Sequence, residues 1–302
     1  MNYFQLFSIS YMTNSVMSEL PYYGLSNTEL QKQLTNDRLS MMFDNNEVVD
    51  YLNNLNSSCL LKELNFQYVT EEQLTAKLKK LDRNIELSVF HMNIRSLNSK
   101  QRQICQLFEL LDYEFDVIIL TEIWTVNINF YANLFTGYDF YYDLPQDSKV
   151  GGVGLFIRNT CTVHELPQYQ ILSTRTSVVE NKWVEVTKES RKYIIGGIYR
   201  HPNQNIADFT SLLEPVLNSI SDQKLPCIIA GDINIDLTKS RVNENTSRYV
   251  DSLLTNNFLP TVLMPTRITP SSATLIDHMY YFDGCGSQNK VAQSGNLLAD
   301  IS

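Results

Sequence analysis

Cys227-Ile228-Ile229-Ala230-Gly231-Asp232-Ile233-Asn234-Ile235-Asp236 reads as an apolar strand that stops abruptly on a glycine, a carboxylate and a carboxamide. Alternate side chains of a strand share a face, so Asp232 and Asn234 are expected to project together from the strand end while Ile233 turns back to the core. Taken alone, Gly-Asp-x-Asn is equally a turn, because Gly, Asp and Asn are the common turn formers. What the remaining chain places around it decides the reading.

The chain has 302 residues, 43% of them hydrophobic, enough to bury a sizeable core in one large domain or two small ones. No window approaches the roughly 18 uninterrupted apolar residues of a membrane span, so no membrane association is expected. Met1 to Tyr11 is mildly apolar but lacks the basic start and small-residue cleavage site of a signal peptide. Five cysteines (Cys59, Cys105, Cys161, Cys227, Cys285) are scattered without a C-x-x-C spacing, which argues against a disulfide framework and a zinc site and for an intracellular setting, nuclear or cytoplasmic. A net charge of -9 argues against coating nucleic acid through bulk electrostatics. It is compatible with a site lined by carboxylates and neutralised by a cation, provided local Arg or Lys side chains meet phosphate.

Composition changes near Asn84. Residues 1 to 85 hold one of the 11 glycines and one of the 9 prolines, with short amphipathic stretches such as Glu71 to Leu81. They are expected to form an extension, helical in part and loosely packed, ahead of a domain over 86 to 302. From Glu86 the pattern is α/β. Leu87 to Phe90 and Val117 to Leu120 read as strands, and Lys100 to Leu111 as an amphipathic helix with Ile104, Leu107, Phe108 and Leu111 on one side. Trp124 to Asp147 is aromatic-rich and reads as loop. Gly151-Gly152-Val153-Gly154 resembles a phosphate cradle, but such a loop runs from a strand into a helix, and here the glycines open a strand. Lys182 to Thr187 and Lys192 to Tyr199 form a hairpin around Glu189-Ser190-Arg191; helices follow at Ala207 to Ser221, bent by Pro215, and at Ser247 to Asn256, and Thr274 to Phe282 makes a late strand. With several neighbouring strands linked by hairpins, a mixed sheet is expected.

Four further segments keep company with the opening stretch: Phe90-His91-Met92-Asn93-Ile94-Arg95-Ser96-Leu97, Asp116-Val117-Ile118-Ile119-Leu120-Thr121-Glu122-Ile123-Trp124, Gly196-Gly197-Ile198-Tyr199-Arg200-His201-Pro202-Asn203, and Thr266-Arg267-Ile268-Thr269-Pro270-Ser271-Ser272-Ala273-Thr274-Leu275-Ile276-Asp277-His278. In this order and spacing the chain, over about residues 86 to 302, resembles the endonuclease/exonuclease/phosphatase superfamily, and most closely the endonuclease domain of non-LTR (LINE-type) retrotransposons. The resemblance implies a DNase I-like four-layer α/β sandwich, two mixed β-sheets flanked by helices. It also implies Mg²⁺-dependent nicking of DNA, with Mn²⁺ as an alternative ion, in a parent element whose reverse transcriptase is not in this chain.

Phosphodiester hydrolysis needs a cation for the charge developing on phosphorus, a group that orients or deprotonates water, and donors for the non-bridging oxygens. By resemblance Glu122 is the metal ligand, with Asn93 beside the ion. Asp232 and Asn234 are the pair that orients and activates water and meets the scissile phosphate, and Tyr199 donates a hydrogen bond to it. Read without the resemblance, these could be a solvated loop Glu, a capping Asn and a packing Tyr. Thr266, with Thr269 as an alternative, lies in the segment that touches phosphate or flanking DNA, and Arg95 and Arg200 are the candidate cationic contacts. Asp277 matches the aspartate that orients a catalytic histidine. His278 cannot join it, because adjacent strand residues face opposite ways.

The family's catalytic histidine belongs to a final Ser-Asp-His. This sequence stops at Leu298-Ala299-Asp300-Ile301-Ser302, so Ser302 matches the serine and impaired nicking is expected. The four histidines, His91, His164, His201 and His278, lie in other segments. Two alternatives stand beside the endonuclease: a retrotransposon-derived remnant with at most weak nucleic-acid binding, and a phosphatase on the same fold.

Overall fold

The computed structural model describes residues 4–11, 68–69, 71–81, 86–125, 127–145, 149–263, 265–269, 272–284 and 295–301. In chain order its strands are β1 (Phe4–Tyr11), β2 (Tyr68–Val69), β3 (Leu87–Asn93), β4 (Val117–Thr121), β5 (Tyr138–Asp143), β6 (Val153–Arg158), β7 (Thr162–Glu165), β8 (Val179–Lys188), β9 (Arg191–Arg200), β10 (Cys227–Asp232), β11 (Leu259–Pro260), β12 (Arg267–Thr269), β13 (Ser272–Thr274), β14 (Asp277–Phe282) and β15 (Gly295–Ile301). The helices are α1 (Glu71–Leu78), α2 (Leu97–Leu111), α3 (Ile206–Gln223) and α4 (Glu244–Thr255).

One sheet runs β2-β15-β1-β3-β4-β6-β5 and the other β11-β14-β10-β9-β8-β7, with β12 and β13 as a separate hairpin. Both are mixed: β3 is parallel to β4 and β4 antiparallel to β6, while β10 is parallel to β9 and antiparallel to β14. Alternation assigns the faces. Val89, Val117, Ile119, Val153 and Leu155 of the first sheet share one buried cluster with Val184, Ile195, Ile228 and Ala230 of the second. Phe90, Met92, Ile118 and Leu120, one position out of phase, join a second cluster with Ile104, Leu107 and Leu111 of α2. On the far side α3 and α4 bury Phe209, Leu213, Leu217, Tyr249 and Leu253. The order is helix, sheet, sheet, helix, the expected four layers. Fully burying each such large apolar side chain contributes about 1.5–3 kcal/mol.

Local chemistry sets the element ends. Ser96 caps α2 by accepting the Ser99 amide, and Asn205 and Asn243 do the same for Asp208 and Thr246 at the starts of α3 and α4. Glu189 and Ser190, with φ of 49° and 70°, close the β8–β9 hairpin as a two-residue turn one position shorter than expected. α3 continues through Pro215 as one assigned helix.

Two further expectations change. Trp124 to Asp147 is not all loop, because Tyr138–Asp143 forms the edge strand β5 against β6. The described parts of the first 85 residues are built into the domain: β1 lies between β3 and β15, and Leu74 and Leu78 of α1 are buried in the cluster beneath α2. The remainder of that stretch, residues 12–67 among it, lies outside the described residues, as do Pro270, Ser271 and Ser302. Among the described residues no helix is long and apolar enough to cross a membrane.

Candidate active site

Asn93, Glu122, Tyr199 and Asp232 come together because β3, β4, β9 and β10 all run parallel in their sheets and finish at the same end of the sandwich. Asp277 joins them from the start of β14, directly opposite Asp232 in the antiparallel register. The central contact is one carboxamide. Asn93 Nδ2 donates to Glu122 Oε1 at 2.8 Å and also to Asp232 Oδ2, so a single amide ties acids from the two sheets together across 110 positions of sequence.

The backbone at this rim is unusual. Non-glycine residues with left-handed φ include Arg95 (44°), Ser96 (95°), Glu122 (54°), Trp124 (43°), Asn203 (61°) and Asn234 (52°). Such conformations cost about 1–3 kcal/mol each and cluster where the surrounding structure enforces them for function. At Glu122 the effect is visible: strict alternation from Thr121 would send its side chain toward the α2 side, and the left-handed turn redirects it to Asn93. The turn is held in place on both sides. Its carbonyl accepts the Ser96 amide at 2.7 Å, and the next two amides, of Ile123 and Trp124, reach the carbonyls of Gly152 and Gly151. The glycine pair thus buttresses the acid and does not cradle phosphate. Gly151 and Gly152 hold φ of 115° and 88°, and a Cβ on Gly151 would meet Glu180 Oε2 at 2.8 Å.

Asp232 is 2% exposed. Burial holds its carboxyl well above the usual carboxylate range, and the neighbouring charges of Asp277 and Glu122 add to this, against the hydrogen bonds from the Asn234 amide and Asn93. Asn234 reaches the site by a different route from the one expected. β10 ends at Asp232, and Asn234 is turned back in the left-handed region, its amide on Asp232 Oδ1 at 3.1 Å and its Nδ2 on the Arg200 carbonyl at 2.8 Å. Ile233 is buried as anticipated. Tyr199 has its phenol raised above the usual value, first by burial and then by Glu122, Asp232 and Glu180, with Arg95 opposing. It therefore stays protonated and able to donate. Arg95 is exposed beside it.

Two of the three expected substrate contacts face inward. Arg200 is 1% exposed and donates only to backbone carbonyls, among them Ile233 at 3.1 Å and Asn234 at 3.3 Å. The reason is parity: next to Tyr199 on β9 it must face the opposite side, where Phe209 of α3 lies beneath its guanidinium, 5.8 Å from Cζ to ring centroid. Thr266, also 1% exposed, accepts the amides of Ile276 and Asp277 at 3.2 and 3.0 Å and so fixes the start of β14. His278 follows the alternation expected of it. Its ring is fully buried on the α4 side, 3.1 Å from the Tyr249 hydroxyl and 2.9 Å from the Ile235 carbonyl.

One pair escaped the sequence reading of site residues. His201 Nε2 lies 3.0 Å from both carboxylate oxygens of Glu180, and its ring centroid is 4.9 Å from that of Tyr199. The signal was parity again: His201, two positions on, shares a side with Tyr199, and Glu180 is the register partner of Tyr199 on β8.

Among the described residues no group of three or more His, Cys, Asp and Glu side chains is arranged to enclose an ion unaided. A hard divalent cation such as Mg²⁺ typically takes one or two carboxylates, completed by water and substrate. The ligand atoms on offer are carboxylate oxygens, and the repulsion from Asp277 and Glu122, which adds to burial in raising Asp232, is what such a cation relieves. The residues fit an ion of that class.

A family model described as the Endonuclease/Exonuclease/phosphatase family matches residues 90–292. No curated protein matches the sequence. Similar solved structures include the endonuclease domain of TRAS1, a telomere-specific non-LTR retrotransposon, at 14% identity over 64% of this chain and 82% of that one, with a TM-score of 0.47. The human Nocturnin catalytic domain with bound sulfate anion is 14% identical over 63% of this chain and 79% of its own, TM-score 0.42. The mannosyl-6-phosphatase Bt3783 of Bacteroides thetaiotaomicron VPI-5482 is 14% identical over 64% and 84%, TM-score 0.47.

Proposed function

The chain belongs to the endonuclease/exonuclease/phosphatase family, and we propose that it is a divalent-cation-dependent phosphodiesterase that nicks DNA, of the retrotransposon-endonuclease kind. The observation that carries this reading is the shared carboxamide of Asn93, which holds Glu122 and Asp232 side by side at the mouth of the sandwich.

Glu122 would hold the ion, Mg²⁺ or Mn²⁺, with the Asn93 amide orienting its carboxylate. When bound, the ion supplies charge neutralisation at the phosphate. Asp232 is placed to take the proton of the attacking water. Its raised proton affinity moves it toward the range in which a carboxylate works as a general base near neutral pH. Asn234 holds that carboxylate in register through its amide. Tyr199 donates its phenolic hydrogen to a non-bridging oxygen, and the exposed Arg95 beside it meets the backbone phosphates. Asp277, facing Asp232 across β10 and β14, keeps the pocket acidic and raises the proton affinity of Asp232.

The test is conversion of supercoiled plasmid to open circle by the 302-residue chain with Mg²⁺ or Mn²⁺. Nicking that is abolished by a chelator and falls by about 10² to 10⁴ in Asp232→Asn supports the reading. No cleavage of DNA, with release of phosphate from a phosphomonoester instead, would replace it by a phosphatase.

A further inference from the structure

Arg200 was expected to bind substrate, and its surroundings give it another task. Its Nη1 lies 3.1 Å from the carbonyl of Ile233, 3.3 Å from that of Asn234 and 3.3 Å from that of His201, and its Nη2 donates to the carbonyl of Gln204. The first two carbonyls belong to the turn that follows Asp232; the other two belong to the turn that follows Tyr199. Asn234 returns the contact, its Nδ2 donating to the Arg200 carbonyl at 2.8 Å. No phosphate can approach a side chain 1% exposed beneath the sheet and over the Phe209 ring.

We propose that Arg200 is a positioning residue: its planar fork clamps the Asp232–Asn234 turn to the turn after Tyr199, fixing the spacing between the general base and the phosphate donor. This rests on the catalytic reading above. The amides of Ile233 and Asn234 donate to the Ile276 carbonyl and the Asp232 carboxylate, while the carbonyls of Ile233 and Asn234 both accept from Arg200 Nη1, so one guanidinium nitrogen meets both acceptors of the turn. A guanidinium presents its donors in one rigid plane, whereas an ammonium is a point charge on a flexible stem and cannot hold two turns at once. The proposal therefore separates geometry from charge.

The experiment uses Arg200→Lys and Arg200→Met in the full chain, with plasmid-nicking kinetics and peptide-level hydrogen exchange. Expected is a fall in kcat of up to about 10²-fold, the effect of misplacing a catalytic group by about 1 Å, with KM for DNA nearly unchanged and Lys no better than Met. Exchange should quicken in peptides spanning 201–205 and 232–236 and stay unaltered in β4 and β8. A rise in KM with kcat retained would make Arg200 a phosphate contact and overturn the clamp. Recovery of kcat by Lys would overturn it also, since charge alone would then suffice. If the wild-type chain cleaves nothing, the phosphodiesterase reading fails, and hydrogen exchange still decides the clamp: unaltered exchange at both turns in both variants refutes it, and selective loosening upholds it.

Discussion

Gly231→Ala is the smallest change that should disable this site. β9 and β10 approach so closely at Gly231 that an added Cβ would stand 1.7 Å from the Ile198 carbonyl oxygen and 2.7 Å from its carbon. Real Cβ contacts essentially never fall under 3.0 Å, so the strands must part by 1.3 Å at this point, the difference between 3.0 and 1.7 Å. The obstacle is backbone, one position beyond the last register pair of β9 and β10, Ala230 with Gly197, and cannot swing aside as a side-chain tip would. Overpacking of this kind typically costs about 1–3 kcal/mol, and the upper end applies here. The displaced residue is also the neighbour of Asp232, and a misplacement of about 1 Å can lower a rate by about 10²-fold. Urea unfolding should show the stability loss, and nicking by the folded fraction should show the rate loss. Gly137→Ala is the control, since nothing lies within 4 Å of its Cβ and only its φ of 83° penalises alanine. Wild-type stability and nicking in Gly231→Ala would refute the close approach on which the site's geometry depends.

Three further outcomes follow from the same structure. Burial pushes the His91 imidazole down to about 3 and that of His278 to about 4. Each binds its proton more weakly folded than unfolded, so its contribution is full above about pH 6.5 and is lost as pH falls below that value, by about 2 kcal/mol per histidine between pH 7.5 and 5 at 1.36 kcal/mol per unit. Asp232, raised in the folded state, works in the opposite direction; His278→Gln should flatten the pH dependence of urea stability by about 2 kcal/mol over that interval, and an unchanged slope would contradict the buried neutral ring. Tyr199→Phe should leave the fold intact and lower kcat by about 10²–10³, the effect of removing one donor to developing negative charge; a wild-type rate would make Tyr199 a packing residue. Deleting residues 1–12 removes the strand between β3 and β15, with seven register pairs on one side and six on the other. At a net contribution of about 1 kcal/mol per hydrogen bond the loss rivals the whole stability of a domain, so the truncated chain should show no cooperative thermal transition, and an unchanged melting temperature would return residues 1–12 to a detachable extension.

Much of the site was legible because two periodicities carry it. The step of two along a strand placed Asp232 in the pocket, excluded His278, and applied with equal rigour to β9 would have turned Arg200 away from Tyr199. The helical spacing of Ile104, Leu107 and Leu111 located α2 and through it the outer face of the first sheet. What stayed hidden has physical reasons. Left-handed backbone at Glu122 and Asn234 is imposed by long-range contacts such as Glu122 to Ser96 and Asn234 to Arg200, and no local propensity announces it. β5 passed for a loop because Tyr138-Asp139-Phe140-Tyr141-Tyr142-Asp143 is a half-buried edge strand, whose aromatics make a weak alternation. β1 was missed because its partners lie about 80 and 290 positions away, beyond any window of sequence.

In the proposed site Asn93 draws Glu122 and Asp232 together to hold a divalent cation. Anomalous diffraction from crystals grown with Mn²⁺ tests it most directly, at a wavelength where the metal scatters anomalously. One peak within coordination distance of the Glu122 carboxylate is expected, beside Asn93 and facing Asp232, and absent from crystals of Glu122→Gln. A peak elsewhere on the molecule, or none at Glu122 at a Mn²⁺ concentration that supports nicking, would contradict it.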